Sequence, residues 1–339
     1  MRISVVVPAY NARRTIARCV DALLRQTRRP DSIYFVDNGS SDGTYEWLQE
    51  QAAAAPYMHV RREQTRGQAA ARNAALRLLD EGIVAFTDAD CVPEPEWLAQ
   101  IAEAYASPEI AAVSGGISEY EPQTLIERCL AITAFPQPDQ ATTITAYGPT
   151  TVFYTANLSV RVDVLKRFGL FDESMSTGED LDLCWRILRG GGVIVGAPAA
   201  RVRHIHRPTL SAALKRQFFY GAGRPRLMRK HFHGIASVMI GRHTMSARAP
   251  VTMCVNLTSP EKISMALIAL SVLTPWSLIP LCLYWARLML LIKHAAQKRK
   301  ITVRSNIELA IFAAIHLLEF SASSAGSLLA SRRHGVLCA

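Results

Sequence analysis

Asp88 and Asp90 stand at the end of Val84-Ala85-Phe86-Thr87, a short apolar run that predicts a buried strand. Alternation along a strand puts both carboxylates on one side, one pleat apart. Carboxylates held so close repel each other unless a cation lies between or beside them. Hard divalent ions carrying a diphosphate are bound this way, through one or two carboxylates plus phosphate oxygens. The same Asp-x-Asp spacing also occurs in solvated turns, so the surroundings decide. A second acidic group, Glu179, Asp180 and Asp182, opens a predicted helix whose N-terminus favours negative charge. That effect accounts for Asp182, whereas Asp180 has the chemistry of a general base that takes a proton from an attacking hydroxyl. His204 and His206 follow a strand-like run, Ala200–Arg203, and are of the type that ligates a metal ion nearby.

The elements that must position these groups alternate. Ile3–Val7 reads as a strand ending in Pro8-Ala9-Tyr10-Asn11, and a helix follows over about 12–28. Ile33–Val36 leads into the turn-rich loop 37–44, then a helix over 45–55, a strand over 58–61 and an Ala-rich helix over 67–79 carrying Arg72 and Asn73. Strands alternating with helices at this spacing predict an α/β fold with a mainly parallel sheet and helices on both faces. Ligands bind such sheets at the carboxyl ends of strands. Tyr10, Asp37, Asn38, Asp88 and Asp90 all fall there, which favours a site over a solvated turn. The second half reads as a strand over 110–114, a Pro-rich irregular stretch over 135–149 and an extended segment over 151–160. No Gly-x-Gly-x-x-Gly follows the first strand and no Gly-x4-Gly-Lys-Ser/Thr occurs, which argues against a dinucleotide oxidoreductase or a P-loop NTPase. A nucleotide would be held by side chains and the metal.

With 339 residues, half of them hydrophobic and 19% charged, the chain suits one large α/β domain or two smaller ones. Its seven cysteines are scattered and contain no Cys-x-x-Cys, which predicts reduced thiols in a cytosolic setting. The N-terminal apolar run is too short for a signal peptide and reads as the first strand. The net charge of +10 is uneven: between Leu183 and Pro260 there is no Asp or Glu, but 13 Arg and Lys. Such a block calls for an anionic neighbour, whether phospholipid, diphosphate or nucleic acid.

Seven motifs then stand in order: Val-Pro-Ala-Tyr-Asn (7–11), Val-Asp-Asn-Gly-Ser-Ser-Asp-Gly-Thr (36–44), Arg-Gly-Gln-Ala-Ala-Ala-Arg-Asn (66–73), Asp-Ala-Asp (88–90), Ala-Asn-Leu-Ser-Val-Arg (156–161), Gly-Leu-Phe-Asp-Glu (169–173) and Gly-Glu-Asp-Leu-Asp-Leu-Cys (178–184). Together, over about residues 2–230, they resemble an inverting family 2 glycosyltransferase of the GT-A fold. The resemblance implies sugar transfer from a UDP, GDP or dTDP sugar to an acceptor hydroxyl, in a GT-A domain over 1–230. Residues 1–114 would be its nucleotide-sugar half and 115–230 its acceptor and catalytic-base half. Pro8, Ala9 and Tyr10 would flank the base. Asp37 and Asn38 occupy positions where the family often has two acids, and the neutral Asn38 weakens the usual inference of a uridine donor. Arg72 would lie near base or phosphates, and Asp88 with Ala89 near the ribose. Asp90 would bind Mn2+ or Mg2+, with His204 the better further ligand and His206 the alternative. Asp180 would be the base, with Glu179 beside it in the catalytic pair. The Gln-x-x-Arg-Trp motif of processive members is missing from Arg216–Gly221, which implies addition of a single sugar.

Residues 231–339 read as a basic and apolar helical region associated with a membrane. Ile263–Ile292 is long enough to span a bilayer. A single span would move the basic segment 293–304 away from a cytosolic catalytic domain, against the positive-inside trend. A re-entrant hairpin turning near Pro275–Pro280 avoids this. Glu308, His316 and Glu319 share one face of Ile307–Leu329, which suggests an interfacial amphipathic helix; a soluble helical subdomain is the competing reading. The expected setting is the cytoplasmic side of an anionic membrane, with a glycan or lipid-linked acceptor from envelope polysaccharide or glycolipid synthesis and no nucleic acid. Two alternatives remain. A sugar nucleotidyltransferase would need a Gly-rich N-terminal loop, absent here. A non-catalytic basic protein binding membrane or nucleic acid leaves Asp88, Asp90, Glu179 and Asp180 without a role.

Overall fold

The computed structural model describes residues 1–135, 140–241, 243–274, 276 and 278–339. The chain forms two compact units, Met1–Glu121 with Pro136–His206, and Pro122–Phe135 with Arg207–Ala339.

In the first unit β1 (Ile3–Ala9), α1 (Ile16–Leu24), β2 (Ser32–Asp37), α2 (Thr44–Ala52), β3 (Met58–Arg62), α3 (Gln68–Leu76) and β4 (Ile83–Phe86) alternate as the sequence predicts. Then come β5 (Cys91–Pro93), α4 (Trp97–Ala104) and β6 (Ile110–Glu119). After α5 (Leu125–Thr133), which belongs to the second unit, follow β7 (Thr142–Ile144), β8 (Leu158–Arg161), α6 (Val162–Phe168), α7 (Glu179–Arg189) and β9 (Val193–His204). The sheet order is β3-β2-β1-β4-β8-β6-β9-β5, with β7 beside β9. Its β3-to-β4 half is parallel, while β8 runs antiparallel to both neighbours and β5 and β7 antiparallel to β9. The sheet is therefore mixed. β5, β7 and β8 are too short for alternation to reveal their direction. β4 is buried along its whole length, as a central strand covered on both faces must be. α1 lays Ile16, Cys19, Val20 and Leu23 on the core at helical spacing. Phe35, Phe86, Trp97 and Trp185 are buried in that core. β6 and β9 shift register at Gly115/Gly116, and a Cβ on Gly115 would lie 2.3 Å from the Ala200 carbonyl oxygen.

The second unit adds α8 (Leu210–His231), β10 (Ile235–Ile240), β11 (His243–Arg248), β12 (Thr252–Asn256), α9 (Pro260–Leu273), α10 (Leu278–Lys298), α11 (Asn306–His334) and β13 (Val336–Cys338). α8 and α11 meet backbone to backbone: a Cβ on Gly221 would lie 1.9 Å from the Ser323 carbonyl oxygen, and one on Gly326 2.1 Å from that of Phe218. This packing explains why α8 groups with the C-terminal segment, so that the compact units divide near 206 and not at the expected 230. The region is also not wholly helical, because β11-β10-β12-β13 form a second sheet. α5 packs Cys129 and Ile132 with Leu288, Ile292 and Phe312.

α10 and α11 are long and apolar enough to cross a membrane by length and composition. The amphipathic reading of α11 is inverted. Glu308 pairs with Arg128, and Glu319 accepts from Gln217 at 3.1 Å, so the acids face protein. Its exposed large apolar residues are Ile307, Ile311, Leu318, Leu328 and Leu329. The expected re-entrant turn falls between α9 and α10, and its Pro275 lies outside the described residues.

Candidate active site

Arg72 ties the acidic groups together. Its side chain has no exposure; Nη1 donates to Glu179 Oε1 at 2.7 Å, and Nη2 to Asp88 Oδ1 at 3.0 Å and Gln68 Oε1 at 3.3 Å. One guanidinium thus joins the Asp-x-Asp tip, past β4, to the start of α7. Only Arg offers donors in a planar fork that can serve two carboxylates at once. Burial pushes the Asp88 carboxyl up, Arg72 works against that shift, and the Asp90 charge adds to it.

Antiparallel pairing of β5 with β9 sets Cys91 opposite His204. That register brings Asp90 Oδ1 to 3.6 Å from His204 Nε2, and Ile205 N donates to the Asp90 carbonyl at 2.8 Å. Ligand atoms of Asp90, Cys91 and His204 lie within 4.8 Å of one another. A carboxylate and an imidazole suit Mn2+, whereas Mg2+ prefers oxygen alone. Cys91 does not suit a hard cation: burial foremost, then the Asp90 charge, push its pKa well up and keep the thiol protonated. His206 is buried, with its ring 5.0 Å from that of His204.

Asp180 sits in the first turn of α7, behind Gly178 at φ +82°. Its Oδ1 accepts from Leu181 N at 2.9 Å and Oδ2 from Thr155 N at 3.4 Å. Burial foremost and repulsion from Glu179 next push its pKa up to about 7, against the pull of Arg72. Such a carboxyl is poised to take a proton near neutrality. Glu179, by contrast, is spent on Arg72. Asp182 is fully buried and accepts from Arg186 at 2.9 Å, while Arg186 also donates to the Gly169 and Leu170 carbonyls at 3.0 and 2.7 Å. Asp182 is therefore part of a clip on the 168–170 loop, not only a partner of the helix terminus.

At the other end of the edge, the first two motifs hold each other. Asn11 Oδ1 accepts from Ser41 N at 2.9 Å, Ala12 N donates to Thr44 Oγ1 at 2.9 Å and Asn38 N to the Ala9 carbonyl at 2.8 Å. Pro8 and Ala9 complete β1, and Tyr10 projects into solvent. Asp37 is buried, accepting from Gly39 and Ser40 N and from Arg62 Nε. Asn38 gives its amide donors to the Glu63 and Thr65 carbonyls and accepts from Gly67 N, so its side chain staples the loop before α3. Ala89 is buried between the two aspartates.

Three residues were given no role by the sequence. Arg66 stacks over Tyr10 at 4.9 Å and donates to the Asn38 carbonyl at 3.0 Å, an exposed cation beside the base-flanking position. Asn73 exchanges hydrogen bonds with the Phe171 backbone and donates to Glu173 at 2.8 Å, locking motif 66–73 to motif 169–173. Asn157 donates to the Gly116 and Ala200 carbonyls and accepts from Trp97 Nε1 at 2.8 Å. Their presence inside quoted motifs was the available signal.

The sequence profile described as Glycosyl transferase family 2 matches residues 4–169. Glycosyltransferase AglE of Haloferax volcanii is 30% identical over 227 residues, spanning 65% of this chain and 72% of the relative. This chain belongs to glycosyltransferase family 2. The pre-mycofactocin glycosyltransferase of Mycobacterium tuberculosis is 28% identical over 247 residues, 72% of this chain, and the match spans about half the relative's length (51%). Among solved structures, a mannosyltransferase of Pyrobaculum calidifontis in complex with GDP-Man and Mn2+ superposes with a TM-score of 0.56 at 19% identity, covering 96% of this chain and 87% of that one. That likeness gives the GT-A fold, in which the mixed sheet and its flanking helices take their place as a family 2 catalytic domain.

Proposed function

We propose that this family 2 protein transfers one sugar from a nucleoside-diphosphate sugar to an acceptor hydroxyl with inversion at C1. The observation that carries the reading is the meeting of Asp88, Arg72, Glu179 and Asp180 beside the Asp90–His204 pair. Asp180 takes the proton of the acceptor hydroxyl as its oxygen forms a bond to C1. The bond from C1 to the β-phosphate oxygen breaks on the opposite face, and its electron pair leaves with the nucleoside diphosphate. Arg72 and Glu179 act as positioning residues, fixing Asp88 and the first turn of α7. Asp90 and His204 would hold a divalent ion, Mn2+ better than Mg2+, which when bound offsets charge on the departing diphosphate. Pro8, Ala9, Tyr10 and Arg66 would form the base side of the donor site, and Asp37 and Asn38 would support it through the loop they hold. The proposed domain scheme keeps donor groups in 1–114 and the base in the following half.

A membrane setting is proposed for the C-terminal region. Val272, Leu273, Trp276, Ile279 and Leu283 are more than half exposed at and between α9 and α10, a cluster suited to one leaflet. A re-entrant hairpin there keeps the basic segment 293–304 on the cytoplasmic side. The acceptor would then be lipid-linked or a growing envelope glycan. A nuclear magnetic resonance assay of the anomeric configuration of product formed from each nucleotide sugar tests the chemistry. Inverted product from wild type, formed far more slowly by Asp180→Asn, is expected; retained configuration would overturn the single-displacement reading.

A further inference from the structure

The second sheet carries apolar residues on both faces. An antiparallel or mixed sheet packed on one side by helices ordinarily turns its apolar residues inward and its polar ones to water. Here the inward set is Ser237, Met239, Thr252, Cys254, Val336 and Cys338, all buried, with Ser237 Oγ 2.8 Å from Ser246 Oγ. The opposite face, which ought to be polar, is apolar too. Register places Leu337, Met253, Ala236 and Ala247 in one row and Val255, Val238 and Met245 in the next. Ile240 and His243 end the face. Leu337, Met245 and Ile240 are 43%, 57% and 44% exposed. Beside β13 this face runs into an open groove of about 600 Å³, lined by Val251, Leu328, Leu329, Leu337 and Arg332.

Charge decides what covers it. No Asp or Glu lies between Leu183 and Pro260 or after Glu319, so none lies in any strand of this sheet. Arg332 and Arg333 stand exposed at the end of α11, with one residue between it and β13. A second copy would bring these cations against their like with no carboxylate to answer them. An anionic lipid surface answers both features, its phosphates taking the arginines and its acyl chains the apolar face and groove.

We propose that the outer face of the β11-β10-β12-β13 sheet is a lipid-docking surface for anionic membrane. It extends the membrane setting proposed above from α9 and α10 to a separate element, and is independent of the sugar-transfer reading. The test uses the full chain carrying Cys282→Ser, since Cys282 is the exposed cysteine and the other six are buried. Nitroxide labels are placed singly at Ile240→Cys, Met245→Cys and, on α9, Leu273→Cys. Their relaxation by oxygen, which enriches in lipid, and by a water-soluble nickel chelate is measured with vesicles of phosphatidylcholine alone or mixed with phosphatidylglycerol.

Labels at 240 and 245 should exchange nickel for oxygen accessibility on the anionic vesicles. Met245→Glu combined with Ile240→Glu should weaken partitioning to those vesicles about tenfold, leaving nucleotide binding unchanged. A label at 273 that enters lipid while those at 240 and 245 stay in water overturns the proposal and leaves the α9–α10 anchor standing. Water-exposed labels at all three positions overturn both. Protection of the sheet labels without vesicles, with a doubled sedimenting mass, assigns the face to a second copy and also overturns the proposal.

Discussion

Replacing Arg72 by Met removes a buried cation and leaves two carboxylates facing each other across the space it filled. Breaking a buried pair by deleting one partner costs about 3–5 kcal/mol, because the charge left behind is uncompensated. Both partners here depend on the same guanidinium, at 2.7 and 3.0 Å, so the upper half of that range is expected near neutral pH. For a unit of about 150–250 residues, each kcal/mol moves Tm by roughly 2–4 °C. The expected fall is therefore about 8–20 °C, read by calorimetry. Arg72 holds the Asp88 pKa down against burial, so its loss lets that carboxyl protonate sooner on acidification. The deficit should accordingly be largest near pH 8 and shrink as pH falls. Arg72→Lys keeps the charge but not the fork, and should lose less. Adding Glu179→Gln to Arg72→Met should restore about 1–2 kcal/mol by removing one stranded carboxylate, a coupling that a double-mutant cycle measures. A loss under about 1 kcal/mol, or one that does not change with pH and shows no coupling to Glu179, would refute the reasoning.

Other expectations follow from the same geometry. Asp180 must be ionised to accept a proton, so kcat/KM should rise with pH and level off above about 7, and Asp180→Asn should lose about 10²–10⁴-fold. The folded-state pKa of Asp180 lies above the unfolded value, so its ionisation destabilises the fold as pH rises from about 4 to 7. Asp180→Asn should then raise Tm at pH 8 and leave it unchanged below pH 4, as thermal scans across pH would show. Asn157→Ala strands two buried carbonyls and the Trp97 indole N–H, and should cost about 2–4 kcal/mol in denaturant titration without changing metal affinity.

How much of this was legible in the sequence varies by element. The first four strands and three helices follow from alternation, because β1 and β4 are central and almost wholly apolar while α1 carries its stripe at 3.6 spacing. Asp88, Asp90, Asp180 and His204 were found by residue type and by their positions at element ends. Their convergence depends on β5, three residues long and unreadable by period, which pairs with β9 and brings Asp90 to His204. The division of labour between Glu179 and Asp180 was also hidden, since adjacent acids look alike until one is seen to pair with Arg72. Asn38 stands where the family often has an acid, yet its amide is spent on backbone groups of 63–67. The second sheet was missed because apolar residues stand on both of its faces, Met239 and Val336 inward and Met245 and Leu337 outward, which leaves little alternation to read. Residues 306–334 misled for a different reason: their acids are satisfied by Arg128 and Gln217 inside the protein.

Metal-dependent nucleotide binding tests the central claim most directly. Thermal stabilisation of wild type, Asp90→Asn and His204→Ala by UDP, GDP, dTDP and CMP, each with and without Mn2+, is the measurement. At about a hundred times its Kd a nucleotide stabilises by about 2.7 kcal/mol, roughly 5–10 °C here. One nucleoside diphosphate should produce that shift with Mn2+, little without it, and little in either variant. A shift that ignores Mn2+ and survives loss of Asp90 and His204 would contradict the metal-bridged donor site.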